Sequence, residues 1–105
     1  MHWVKKYKEF KELRNDVEWA VIPYRQKIME LEQPLTIEFT RNGPRTLDSD
    51  NLIYAFKPVR DAVADVIWPE IKRNTRDSGD HVHWEYAQVK NKLSFITIKI
   101  YSSVR

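Results

Sequence analysis

The sequence predicts a small mixed α/β domain, with helices packed on a short sheet that is largely antiparallel or mixed. Three observations predict it. Apolar residues recur at steps of three and four over two long segments, as on the buried stripe of a helix. They recur at steps of two over three shorter segments, as on a half-buried strand. And 105 residues, 42% hydrophobic and 12% aromatic, suffice for one core, so residues 1–105 form a single domain.

The elements follow in order. From about Val4 to about Glu30 the chain reads as helix, with Trp3, Tyr7, Phe10, Leu13, Val17 and Ala20 or Val21 on one stripe. Pro23 interrupts it, so the helix kinks or restarts there before Ile28, Met29 and Leu31. Leu35, Ile37 and Phe39 then alternate with Thr36, Glu38 and Thr40, which predicts a strand ended by Asn42-Gly43-Pro44. A second helix starts near Asp50 and buries Leu52, Phe56, Val59, Val63 and Val66. Its opposite face carries Asp50, Tyr54, Lys57, Asp61 and Asp65; Pro58 bends it, and Trp68-Pro69 ends it. Glu70 to Asp80 is polar and unpatterned, hence a loop. His81–Val89 and Leu93–Tyr101 alternate as strands, and Asn91-Lys92 is a plausible hairpin turn between them.

Composition narrows the function classes. Charged residues make up 31% of the chain and the net charge is +3, a mild basic excess that suits a nucleic-acid partner. The chain has no cysteine, which excludes disulfides and thiolate zinc sites and permits a reducing cytoplasm. No apolar run reaches the length of a membrane span. The opening MHWVKKYKEF has no apolar core and does not read as a secretory signal. A chain this short is modestly stable alone, so a dimer is expected.

The segment RNGPRTLDSDNLIYAFKPVRDAV, from Arg41 to Val63, carries the candidate chemistry. Asp48 and Asp50 enter a helix from an extended segment and can point the same way. Magnesium binds through one or two carboxylates together with phosphate oxygens, which such a pair suits. The local pattern by itself favours Asp48 ending a turn and Asp50 capping the helix. Lys57 lies on the same polar face as Asp50 and could stabilise charge on a transferring phosphate. A surface ion pair with Asp61 is the plainer role. Asp77 or Asp80, in the loop before the next strand, could supply a third carboxylate, or simply belong to a solvated turn at Ser78-Gly79. His81 and His83 share a strand face, yet no third ligand accompanies them, and an exposed strand edge suits them better than zinc. Arg41 and Arg45 flank the aspartate pair, and Lys72, Arg73 and Arg76 adjoin the acidic loop. Lys5, Lys6, Lys8, Lys11 and Arg14 cluster at the start, among residues that otherwise read as a solvated helix face. All are candidate contacts to DNA phosphates. The tryptophans Trp3, Trp19, Trp68 and Trp84 read first as core.

These motifs together, R-x-G-P-R-x-L-D-x-D-N-L, then K-P-V-x-D-A-V, then D-S before a strand bearing W-x-Y-x-Q-V-K, resemble the RusA-like Holliday-junction resolvases, closest to the phage and prophage branch. The resemblance runs over nearly the whole chain. It implies magnesium held by Asp48, Asp50 and Asp77 or Asp80, catalysis by Asp48, Asp50, Asp77 and Lys57, branched DNA as substrate, a homodimer, and a bacterial or phage-infected cytoplasm. Three features depart from the family pattern. The interval from D-N-L to K-P is about one helical turn longer, through Ile53, Tyr54, Ala55 and Phe56. The acidic pair of the loop is reduced, with Arg76 in place of its first member. The chain is expected to start after the family's first strand. The activity so implied is cleavage of four-way or other branched DNA by a metal-activated water. A catalytically degenerate protein that binds branched DNA without cutting it is the rival expectation.

Overall fold

The computed structural model describes residues 2–6, 13–72 and 75–104, with the backbone alone for 2–6 and 13. Strand β1 spans His2–Lys6 and helix α1 spans Leu13–Val21. A 3₁₀ turn at Ile22–Tyr24 leads to α2, Arg25–Met29. Strand β2, Leu35–Gly43, is followed by α3, Ser49–Ala55, and α4, Lys57–Ile67. Strands β3, Val82–Lys90, and β4, Phe95–Ser102, complete the domain. The α/β class is as the sequence predicts, and the Cα radius of gyration, 13.3 Å, is about that of one compact domain of such a length.

The four strands lie in the order β1-β4-β2-β3. β2 and β3 run parallel, with Leu35 opposite Val82 and Gly43 opposite Lys90. β4 is antiparallel to β2 and to β1. A parallel neighbour requires a crossover, and α3 and α4 provide it between β2 and β3.

One face of the sheet is buried under the helices. Leu35, Ile37 and Phe39 of β2, Val82 of β3, and Ile96, Ile98 and Ile100 of β4 are all buried. From the helices come Val17, Val21, Ile28, Val59, Ala62, Val63 and Ile67. The other face keeps His83, Glu85 and Lys99 exposed. This one-sided burial is what period-two alternation encodes.

Four predicted features are corrected. The backbone is strand rather than helix through Lys6, because residues 2–6 find a long-range partner in β4, with His2 opposite Lys99. A strand is thus present at residues 2–6, where the sequence predicts a helix from about Val4. The expected β3–β4 hairpin does not form: β2 lies between the two, and residues 91–94 arch over its end, where Asn91 N–H donates to the Gly43 carbonyl at 2.7 Å. A short apolar pattern specifies a face but not a neighbour. Pro58 does not bend one helix; the chain breaks at Phe56 (φ −82°, ψ −4°) and restarts with Pro58 in the first turn of α4. There the missing N–H costs no hydrogen bond. Trp19 is 69% exposed, not core.

Phe56, at the break, is fully buried and stacks on Phe39 with centroids 5.1 Å apart. Trp84 stacks on the same Phe39 ring at 5.6 Å. The helix break therefore drops an aromatic ring onto the central strand, and this packing fixes where α4 begins relative to the sheet.

Candidate functional site

Helix α4 projects Lys57, Asp61 and Asp65 in one row at four-residue spacing, the spacing that stacks side chains on a helix face. The loop after Trp68 folds back against this row. Lys57 Nζ lies 2.9 Å from Asp61 Oδ1 and 2.9 Å from Asp77 Oδ2. Arg60 secures the same loop. Its Nη2 donates to the Asp77 carbonyl at 2.7 Å and its Nη1 to Tyr86 Oη at 2.9 Å. Its Nε is 3.0 Å from Asp77 Oδ2, but that N–H makes no aligned hydrogen bond, so the contact is ionic. The guanidinium stacks over Trp84, 4.8 Å from the ring centroid. Trp84 Nε1 also donates to the Asp77 carbonyl, at 2.7 Å.

A second cluster stands one turn along α4. Asp65 accepts from Arg14 Nη2 at 2.7 Å and from Arg76 Nη1 at 3.0 Å. Arg76 further donates to the carbonyls of Ile71 and Pro69, each at 2.7 Å. His81 Nε2 meets the Arg76 carbonyl at 2.7 Å while its ring lies edge-on to Trp68. Between the clusters opens a cavity of about 290 Å³ lined by Arg14, Lys57, Asp61, Asp65, Arg76 and Asp77.

The protonation states follow from these contacts. Hydrogen bonds to Asp61 and then Asp77 raise the Lys57 ammonium above its ordinary value, against a smaller desolvation effect. Burial by itself would push the Asp77 carboxyl up; the Lys57 hydrogen bond and the charges of Lys57 and Arg60 outweigh it and hold the group below the usual carboxylate value. Both groups are charged at neutral pH.

Of the predicted site residues, the fold brings Lys57 and Asp77 together across twenty positions. Asp48 acts as the N-cap of α3: Oδ1 accepts from Asn51 N–H at 2.9 Å and Oδ2 from Asn51 Nδ2 at 3.2 Å. Asp50, in the first turn of α3, and Asp80, in the loop, are exposed. The break at Phe56 puts Asp50 and Lys57 on different helices, which removes the helical phase that related them. Among the described residues, no three His, Cys, Asp or Glu side chains are gathered around a common metal position. The predicted set of Asp48, Asp50, Asp77 and Asp80 is therefore not assembled. In this arrangement Asp48 caps a helix and Asp77 faces two cations, so neither carboxylate is free of a partner.

The predicted phosphate contacts divide. Arg76 holds Asp65 and two carbonyls with its side chain 19% exposed, so it is a loop clamp rather than a free cation. Arg41 donates to the Arg45 carbonyl, and Arg45 and Lys72 are exposed. Lys5 and Lys6 lie on β1, whereas Lys8, Lys11 and Arg73 fall outside the described residues. His83 is exposed and 3.5 Å from Glu85, separated in role from His81.

Sequence reasoning missed Arg60 as the clamp on the Asp77 loop, and read Arg14 as a phosphate contact rather than the partner of Asp65 in the cleft. Arg14 and Asp65 are fifty-one residues apart, and no local pattern links them. Comparison with known protein families, curated proteins and solved structures finds no match.

Proposed function

We propose that this chain is a magnesium-dependent endodeoxyribonuclease of the RusA-like type, cutting four-way junctions or other branched DNA as a homodimer. Support comes from the motif resemblance over residues 41–63 and from one observation above all. Lys57 and Asp77, the lysine and the loop aspartate of the motifs, meet at 2.9 Å on the rim of a polar cleft. Lys57 has 56% of its side chain exposed, so it can turn from the two carboxylates to an incoming phosphoryl oxygen. There it would stabilise the charge that develops as the phosphodiester breaks. The magnesium requirement rests on the resemblance alone. A homodimer would supply the paired, symmetric cuts that resolution of a junction needs.

A second reading is favoured by the neutralisation of Asp77 by Lys57 and Arg60. On it the chain binds branched DNA without cleaving it. Incubating the protein with a synthetic four-way junction and magnesium, beside Asp50→Asn, separates the two. Paired nicks that vanish in Asp50→Asn are expected. Tight binding with no cleavage by either protein selects the second reading, and absence of both binding and cleavage removes both.

A further inference from the structure

We infer that the end of the sheet built from Arg41, Arg45, Lys90 and Lys92 is a binding surface for the phosphate backbone of a DNA duplex arm. The inference rests on the DNA-directed function above and says where the flanking duplex lies.

The arginines on the helix side do not serve that purpose, because Arg14, Arg60 and Arg76 are held by carboxylates with their side chains at most 39% exposed, and Lys57 is assigned to the reacting phosphate. The far end of the sheet differs. No acidic residue occurs between Glu38 and Asp48, and none occurs after Glu85. The sheet register brings these two stretches together. Gly43 lies opposite Lys90, and Asn42 lies opposite both Val89 and Phe95. Residues 91–94 arch over the end of β2, which sets Lys90 and Lys92 beside Pro44 around a shallow groove of about 240 Å³. Lys90, Lys92 and Arg45 are exposed. Among the described residues none of the four cations pairs with a carboxylate. The backbone of Lys6 reaches the same end, opposite Phe95.

Cations that no carboxylate neutralises concentrate positive potential where ion-paired ones cancel it. The surface also borders the candidate motif. Leu47 N–H donates to Gln88 Oε1 at 2.9 Å, and Gln88 Nε2 donates back to the Leu47 carbonyl. That clamp places Asp48 at the edge of the basic rim, so a duplex lying on the rim runs toward Asp48 and Asp50.

Phosphate contacts show in the salt dependence of binding, at about one unit of log–log slope per cation lost. Affinity for a four-way junction and for a linear duplex is measured across salt concentrations in EDTA, so that cleavage plays no part. The Lys90→Gln/Lys92→Gln double variant should bind both DNAs more weakly, with a slope less steep by about 2. Arg45→Gln, outside any strand, should lower the slope by about 1. Lys99→Gln, on the open sheet face, should leave it unchanged. An unchanged slope in the double variant, an equal drop with Lys99→Gln, or no DNA binding by the parent protein would each overturn the inference. The expected slope change in EDTA, together with no cleavage by the parent protein when magnesium is supplied, would sink the nuclease proposal and leave the surface standing.

Discussion

Asp77 joins the loop to the helix through both its backbone and its side chain. Its carbonyl takes two donors, from Arg60 and Trp84, and its carboxylate faces Lys57 and Arg60. Because its folded pKa is depressed, the stability it contributes is present above the unfolded carboxylate value and is lost as pH falls through the folded value. Lys57 has the opposite sign: its contribution is full below the ordinary lysine value and is lost as pH rises through the raised folded value. The pair is therefore silent near neutrality and shows in the acid limb below about pH 4 and the alkaline limb above about pH 10. Asp77→Asn should cost about 1–3 kcal/mol at pH 7. It should also flatten the acid limb in urea unfolding followed from pH 2 to 7. An acid limb identical to the parent's would show that the pair contributes nothing to folding.

At the scale of the element, the junction between α3 and α4 decides the geometry. A proline inside a continuous helix would cost about 3 kcal/mol, and replacing it with alanine would recover most of that. Pro58 instead sits in the first turn of α4, where its fixed φ suits the helix start. Pro58→Ala should therefore change stability by less than about 1 kcal/mol, chiefly through the entropy of the unfolded chain. A gain near 3 kcal/mol in chemical denaturation would mean one bent helix. The N-terminus of α3 was legible in the sequence, since a short polar residue ahead of an apolar period is a cap signal, although the cap is Asp48 and not Asp50, which lies in the first turn. The restart after Pro23 was legible for the same reason: proline removes a donor wherever it stands.

At the scale of the molecule, β2 is the element that holds the domain together. It pairs on both sides, and its Phe39 ring contacts Phe56, Trp84 and Tyr86. Phe39→Ala should cost about 3–5 kcal/mol, because the cavity opens between sheet and helices where neither can collapse into it. Calorimetry would detect this as a single transition at lower temperature; two separate transitions would contradict one cooperative core. Much of the candidate site was hidden from sequence reasoning at this scale. Lys57 and Asp77 carry local signals, but Arg60 reads as one more polar position, and the Arg14–Asp65 pair exists only because α1 packs on α4.

The sequence by itself determined the α/β class, the buried faces of β2, β3 and β4, the interruption at Pro23 and the end of α4 at Trp68. Side-chain period and backbone donors are properties of a few adjacent residues, so they can be read locally. The tertiary structure alone decided the strand order, the insertion of β2 between β3 and β4, and the strand at residues 2–6. It also decided which charges meet. Those depend on contacts between distant segments, chosen by the burial of all the faces at once, and no local pattern carries that choice.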